Sequence, residues 1–294
     1  MATYENAGRS SLTQRFFRQA PVRIAVIVIC FVWTLPSVGM LVSSFRSANN
    51  IRTTGWWTAL LHPFEAAQWT LENYTAVLTA DGMANAFANS LIITLPSTVI
   101  PITIAAFAAY AFAWMKFPGR DVLFAIVVGL LVVPLQMALI PILRLYTGLE
   151  LNGTFLGTWL AHTGFGLPLA IYLLYNYISQ LPGELFESAW IDGASHYTAF
   201  IRLVLPLSVP AIASFAIFQF LWVWNDLLVA LVFLGTNPDV AIVTSRLSAM
   251  VGTKGEAWHL LTAGAFVTMI VPLIVFFSLQ RYFVRGILAG SVKG

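Results

Sequence analysis

Residues 185–210 read LFESAWIDGASHYTAFIRLVLPLSVP and place Glu187, Asp192, His196 and Arg202 within one short interval. The chain around them is 59% hydrophobic and 9% charged over 294 residues, with long apolar runs on both sides of the interval. A mean hydropathy of +0.82 is far above what a soluble globular chain sustains, because too little polar surface is left to face water. The solvent for most of this chain is a bilayer, and the interval is a polar piece kept out of it.

A helix needs about 20 apolar residues to cross the hydrocarbon layer, with its backbone hydrogen-bonded within itself. Working outward from the interval, six windows meet that length: 24–42, 87–113, 122–146, 155–178, 207–234 and 260–283. Arg144, Asp226 and Arg281 are the formally charged residues inside them, each toward a window end. The expected fold is an all-α membrane protein of six transmembrane helices. Residues 1–23 form an N-terminal segment, and 24–294 form the six-span transmembrane domain, with the polar segment at about 183–206 between spans four and five.

Arg9, Arg15, Arg18 and Arg23 precede the first apolar run, but that run is longer than a signal-peptide core and no small-residue cleavage site follows it. It reads as a retained span. Cys30 lies inside it, so no disulfide is expected. Lys and Arg are divided unequally between the two sides. Arg9, Arg15, Arg18, Arg23, Lys116, Arg120, Arg202, Arg281, Arg285 and Lys293 share one side; Arg46, Arg52, Arg144, Arg246 and Lys254 hold the other. Basic short loops stay in the cytoplasm, which places both termini and the opening segment inside the cell. Topology thus accounts for the net charge of +3, and no nucleic-acid partner is needed.

Within the interval, Pro182-Gly183 ends the fourth span and 184–191 reads as a helix with acidic residues near its N-terminus, where the dipole favours them. Asp192-Gly193 bends it, since glycine accepts backbone angles that other residues resist. A second helical piece, 195–205, precedes Pro206, which marks the start of span five. An amphipathic helix resting on lipid would show the same periodicity. Such helices are normally rich in basic residues, and here Arg202 faces three acids, which favours a protein partner.

Glu187-Ser188-Ala189, Asp192-Gly193-Ala194 and Leu205-Pro206 closely resemble the EAA loop of ABC importer permeases, with Ser188 in place of the middle alanine. The resemblance extends from Trp69 onward. Asn89-Ser90, Ala109-Tyr110-Ala111-Phe112, Phe117-Pro118-Gly119-Arg120, Pro134 through Pro141 and Trp224-Asn225-Asp226 look like marks of carbohydrate-uptake permeases. The tail QRYFVRGILAGSVKG is similar to that of the smaller maltose-type permease and its α-glucoside relatives. The resemblance implies a half-pore in a prokaryotic cell membrane, importing a di- or oligosaccharide such as an α-glucoside. Glu187, Ser188, Ala189, Asp192, Gly193, Ala194, Leu205 and Pro206 would then couple it to an ATPase. It also implies a second homologous permease, two ATPase subunits that bind ATP and Mg, and an extracytoplasmic sugar-binding protein, with no cofactor in this chain. The outer loop 235–258 would reach into that binding protein, although its mixed charges (Asp239, Arg246, Lys254, Glu256) equally suit an ordinary solvated loop.

Other classes fit less well. The four histidines (His62, His162, His196, His259) show no ligand spacing and no GxxxxGK[ST] is present, so neither a metal enzyme nor an intrinsic ATPase is expected. An ion-coupled carrier would usually hold ionisable groups deep in its spans. An ABC permease for a non-sugar solute stays open. For the solute path, Asp226 lies about 30 Å beyond Pro206 along a helix, near the outer end of span five. Its neighbours Trp222, Trp224 and Asn225 are of types that stack on and hydrogen-bond sugars; interfacial anchoring and helix packing account for them equally. Pro96, Pro101, Pro134, Pro141 and Pro168 are candidate kinks.

Overall fold

The computed structural model describes residues 12–80, 82–251 and 257–291. Arg9, Lys254, Glu256 and Lys293, and with them parts of the outer loop and of the tail, lie outside the described residues. Every described element is helical. In order they are α1 (Leu12–Ser44), α2 (Ala48–Thr53), α3 (Trp57–Leu61), α4 (Glu72–Thr79), α5 (Met83–Trp114), α6 (Arg120–Gly129), α7 (Leu135–Gly148), α8 (Phe155–Ile178), α9 (Gly183–Ile191), α10 (His196–Ala199), α11 (Leu205–Trp224), α12 (Leu228–Phe233), α13 (Val243–Val251) and α14 (Trp258–Ser291).

Among the described residues, four helical stretches are long and apolar enough to cross a membrane: Ala20–Ser44, Met83–Trp114, His196–Trp224 and Trp258–Arg281. The window at 122–146 is not one straight helix. It bends by 105° between α6 with its following 3-10 turn and α7, and counts as a fifth stretch if the pair is taken together. The cause is local: Val133 is extended ahead of Pro134, as the residue before a proline prefers to be. The window at 155–178 is a continuous helix of 24 residues, α8. It carries buried Thr158, His162 and Thr163 on its inner face, which makes it less apolar than the four. The window at 207–234 is also interrupted, with α11 ending at Trp224 and α12 starting at Leu228.

The core lies where α5 meets α8 and α11. Ala105 and Ala109 of α5 and Ala170 of α8 are fully buried in one cluster with Leu174 and Phe215. Small side chains let membrane helices approach closely enough for dispersion contacts to hold them, which lipid tails alone would not favour.

Three prolines inside these helices are answered from outside them. A proline at position i supplies no N–H to the carbonyl at i−4, and hydrocarbon offers no replacement. Pro96 orphans Ile92 O, which accepts from Trp159 Nε1 of α8 at 2.9 Å. Pro101 orphans Ser97 O, which accepts from Gln219 Nε2 of α11 at 3.1 Å. Pro272 orphans Thr268 O, which accepts from Trp224 Nε1 at 3.2 Å. Each of these prolines is therefore also the place of an interhelical joint.

The connection from α1 to α4 is organised around Arg46, which is 1% exposed. Its guanidinium donates to Gly55 O at 2.7 Å and to Thr54, while Asn73 Nδ2 donates to Ser44 O and Arg46 O. Burial, which disfavours the charged form, holds the Arg46 pKa below its usual value.

Candidate functional site

Residues 183–206 form a bent segment whose inner and outer faces differ. α9 ends in a Schellman arrangement: Ala194 N–H donates to Ala189 O at 2.9 Å and Gly193 N–H to Trp190 O at 3.0 Å, with Gly193 at φ +78°. Three residues of the EAA-like pattern, Ala189, Gly193 and Ala194, therefore build the bend itself. Ser188 Oγ donates back to Glu184 O at 2.8 Å, and Asp192 is the C-cap of α9. Ser195 then caps α10 by accepting from Thr198 N–H.

Pro206 does not start a separate helix. The chain runs from α10 through a π turn at Phe200–Val204 into α11 without a break. Proline has no N–H to donate and its ring crowds the preceding turn; a wider turn, with Leu205 N–H reaching Phe200 O, accommodates it. Leu205 and Pro206 thus form the first turn of α11.

The inner face of the segment is locked to α5. Phe186 is fully buried and stacks on Trp114 with centroids 3.8 Å apart, while Trp114 Nε1 donates to Ile178 O. Phe200 stacks on Phe107 at 4.5 Å, and Tyr110 Oη lies 2.8 Å from His196 Nδ1. The opposite face is open: Glu187, Ser188, Asp192 and Gly193 are exposed, and Ile191 and Tyr197 are 86% and 70% exposed. The outward face thus mixes acids with large apolar side chains on a base fixed to α5.

The second candidate region, Trp222–Asp226, is divided by the structure. Trp224 is buried with its indole N–H on Thr268 O, and Asn225 Nδ2 donates back to Leu221 O. Asp226 accepts from Val229 and Ala230 N–H at 3.3 and 3.0 Å, capping α12, where the helix dipole favours a carboxylate. Its Oδ2 also stands 4.0 Å from His162 Nε2. Trp222 differs from the others because it lines a cavity of about 570 Å³ between the α6–α7 bend, α8 and α11. The wall also includes Phe165, Gly164, Pro168, Tyr146 and Gln219, with no Asp, Glu, Lys or Arg among the described residues. Pro168 leaves Gly164 O without its helical donor, adding a backbone acceptor to a mostly apolar wall that also holds Gln219 and Tyr146. Among the described residues, no three His, Cys, Asp or Glu side chains converge on a metal-sized site.

Sequence reasoning did not single out Phe186 and Trp114 as anchors, or Gln219 and Trp159 as joints. The available signal was a tryptophan or glutamine within a span that also held a proline elsewhere in the bundle. Asn89 and Ser90 now have a physical task. Asn89 Nδ2 donates to Asp239 O and Ala241 O, and Ser90 Oγ accepts from Val243 N–H, which fixes the base of the outer loop to α5.

Comparison with known proteins agrees with this architecture. Residues 88–289 match the family described as "Binding-protein-dependent transport system inner membrane component". The chain is 62% identical to the osmoprotective compounds uptake permease protein GgtD of Synechocystis sp., covering 98% of this chain and 97% of that protein. It is 46% identical to the alpha-glucoside transport system permease protein AglG of Rhizobium meliloti, covering 93% and 97%. Its fold matches a chain of a bacterial ABC transporter involved in the import of the acidic polysaccharide alginate. There the TM-score is 0.73 at 18% identity, covering 94% of this chain and all of that one. The chain belongs to the binding-protein-dependent inner membrane component family: it is an ABC transporter permease of the carbohydrate-uptake class, a pore component of a membrane importer and not an enzyme.

Proposed function

We propose that this chain forms half of the translocation pore of an ATP-driven importer in a prokaryotic cell membrane. It would cross six times, through α1, α5, the bent α6–α7 pair, α8, α11 and α14, with both termini cytoplasmic. Residues 183–206 would be the coupling helix, with Glu187, Ser188, Ala189, Asp192, Gly193, Ala194, Leu205 and Pro206 presenting it to an ATPase subunit. The observation that carries this reading is the two-faced segment: Phe186 is buried against Trp114 while Glu187, Ile191 and Tyr197 face outward. ATP and Mg would bind in two partner ATPase subunits, whose closure would drive alternating access through this chain and a second homologous permease. An extracytoplasmic binding protein would deliver the solute.

The solute is proposed to be an uncharged carbohydrate, of which an α-glucoside is one candidate and an osmoprotective compound another. Support comes from the uncharged cavity at Trp222, whose Trp222 and Phe165 rings suit the C–H face of a sugar while Gly164 O suits a hydroxyl. Trp224, Asn225 and Asp226 would shape that path by holding α12 and α14 in place. The test is uptake of labelled mono- and disaccharides by vesicles holding the complete importer, with wild-type or Trp222→Ala permease. Reduced solute affinity with intact ATPase association supports the path; unchanged uptake kinetics reject it.

A further inference from the structure

α5 is held at both ends by different parts of the molecule. Near one end Tyr110 and Trp114 hold residues 183–206; near the other Asn89 and Ser90 hold the outer loop at Asp239–Val243. About 30 Å of helix separates Tyr110 from Asn89. Between them the hydrogen-bond ladder of α5 fails at two successive places, Pro96 and Pro101. The missing bonds are supplied by Trp159 from α8 and Gln219 from α11.

The lower of these joints is unsaturated. Gln219 is completely buried, yet among the described residues its Oε1 has no hydrogen-bond partner, and neither does the buried Ser97 Oγ. Ser97 O already receives the Gln219 amide, so an unused donor and an unused acceptor stand on the same residue pair. Gly166 leaves the room: a Cβ there would come within 2.7 Å of Gln219 Oε1. Because leaving buried polar groups unpaired is costly, the pair has reason to adopt a second arrangement, in which the Ser97 hydroxyl donates to Gln219 Oε1.

We infer that α5 is a two-segment lever hinged at Pro96–Pro101. The Ser97–Gln219 contact exchanges between two arrangements as displacement of residues 183–206 is carried to the outer loop. The inference rests on the coupling reading proposed above. Ser97 acts as a positioning residue, touching neither nucleotide, the docking face nor the cavity, whereas Gln219 also stands in the cavity wall. The coupled half of the stroke would therefore depend on a helix that is deliberately incomplete, and completing its ladder should stiffen it.

The test uses the full importer in lipid discs, with Cys30→Ser and an environment-sensitive fluorophore on Thr236→Cys, an exposed position of the outer loop. The nucleotide-driven fluorescence change and the melting temperature are both read. Pro96→Ala/Pro101→Ala is expected to melt higher than the parent, because two backbone donors return, and to lose most of the nucleotide-driven signal and of the uptake. Ser97→Ala is expected to keep assembly and melting temperature and to slow the signal several-fold. A double-proline variant that keeps the full signal overturns the hinge, as does one that melts lower. A Ser97→Ala protein indistinguishable from its parent overturns the exchange. If the parent complex itself ignores nucleotide, the coupling reading fails first, and this inference fails with it.

Discussion

Tyr110 Oη lies 2.8 Å from Nδ1 of His196, across 86 positions of chain, in a seam otherwise made of Phe107, Phe186, Phe200 and Trp114. A single hydrogen bond within such a seam fixes register, because the aromatic contacts tolerate sliding and the bond does not. Tyr110→Phe keeps the ring and leaves a partly buried imidazole nitrogen unpaired, at about 1 kcal/mol. The expected outcome is normal co-purification of the ATPase with less ATP hydrolysed in response to solute. Stimulated hydrolysis equal to wild type would show that the bond transmits nothing.

Gly193 has φ +78° and open space where a Cβ would stand, so Gly193→Val tests backbone strain without a clash. The strain is about 1–3 kcal/mol, concentrated at the Schellman turn. Membrane insertion should be unaffected, while association with the ATPase falls. Glu187→Lys should weaken the same association by reversing an exposed charge on the docking face. Pull-down of the ATPase from membranes reads both, and undiminished recovery with both variants returns the segment to a lipid-resting helix.

Trp224→Phe removes the donor that satisfies Thr268 O and should destabilise the protein by about 1–3 kcal/mol. Pro272→Ala returns an N–H to the same carbonyl. The double variant should therefore recover most of the loss in thermal unfolding, a non-additivity that independent sites would not show. Additive effects would mean that Trp224 stabilises by packing alone.

Asn89→Ala leaves Asp239 O and Ala241 O without their side-chain donor. The base of the outer loop should then open more often, and limited proteolysis from the outer side should cut it faster than in wild type. Cleavage at the wild-type rate would indicate that Ser90, through Val243 N–H, suffices.

Reporter fusions after Arg120, near Gln180 and at Gly294 should report cytoplasm, and those near Gln68 and Asn237 the outside. The ground is the asymmetry of Lys and Arg between the two sides. An external signal near Gln180 would remove residues 183–206 from the ATPase side altogether.

The bend at Gly193 could be read from the chain because glycine supplies a backbone conformation that others resist. The helix at α9 could be read from its dipole-matched acids. Of the six windows, four helical stretches, or five with the bent pair, are long and apolar enough to cross a membrane among the described residues, and length does not report straightness. The window at 122–146 folds at Val133–Pro134, and the one at 207–234 breaks after Trp224, with Asp226 capping α12 beyond the break. Composition also concealed which polar residues serve packing. Trp224 and Asp226 have the chemistry of sugar contacts, yet both are engaged by backbone groups, and only three-dimensional proximity distinguishes them from Trp222. Pro206 was legible as a helix-start residue; the π turn that lets the helix run through it was not.

The joints at Ile92, Ser97 and Thr268 also bear on how the chain is made. α5 emerges from the ribosome before α8 and α11, so it enters the membrane with two carbonyls that nothing yet synthesised can satisfy. α14 follows α11, and its freed carbonyl finds Trp224 waiting. Biogenesis should therefore be asymmetric: α5 is expected to stay beside water until the chain has grown past Gln219, whereas α14 is expected to leave at once. Truncations ending before α11 should leave α5 reachable by aqueous thiol reagents, and extension through Trp224 should close it.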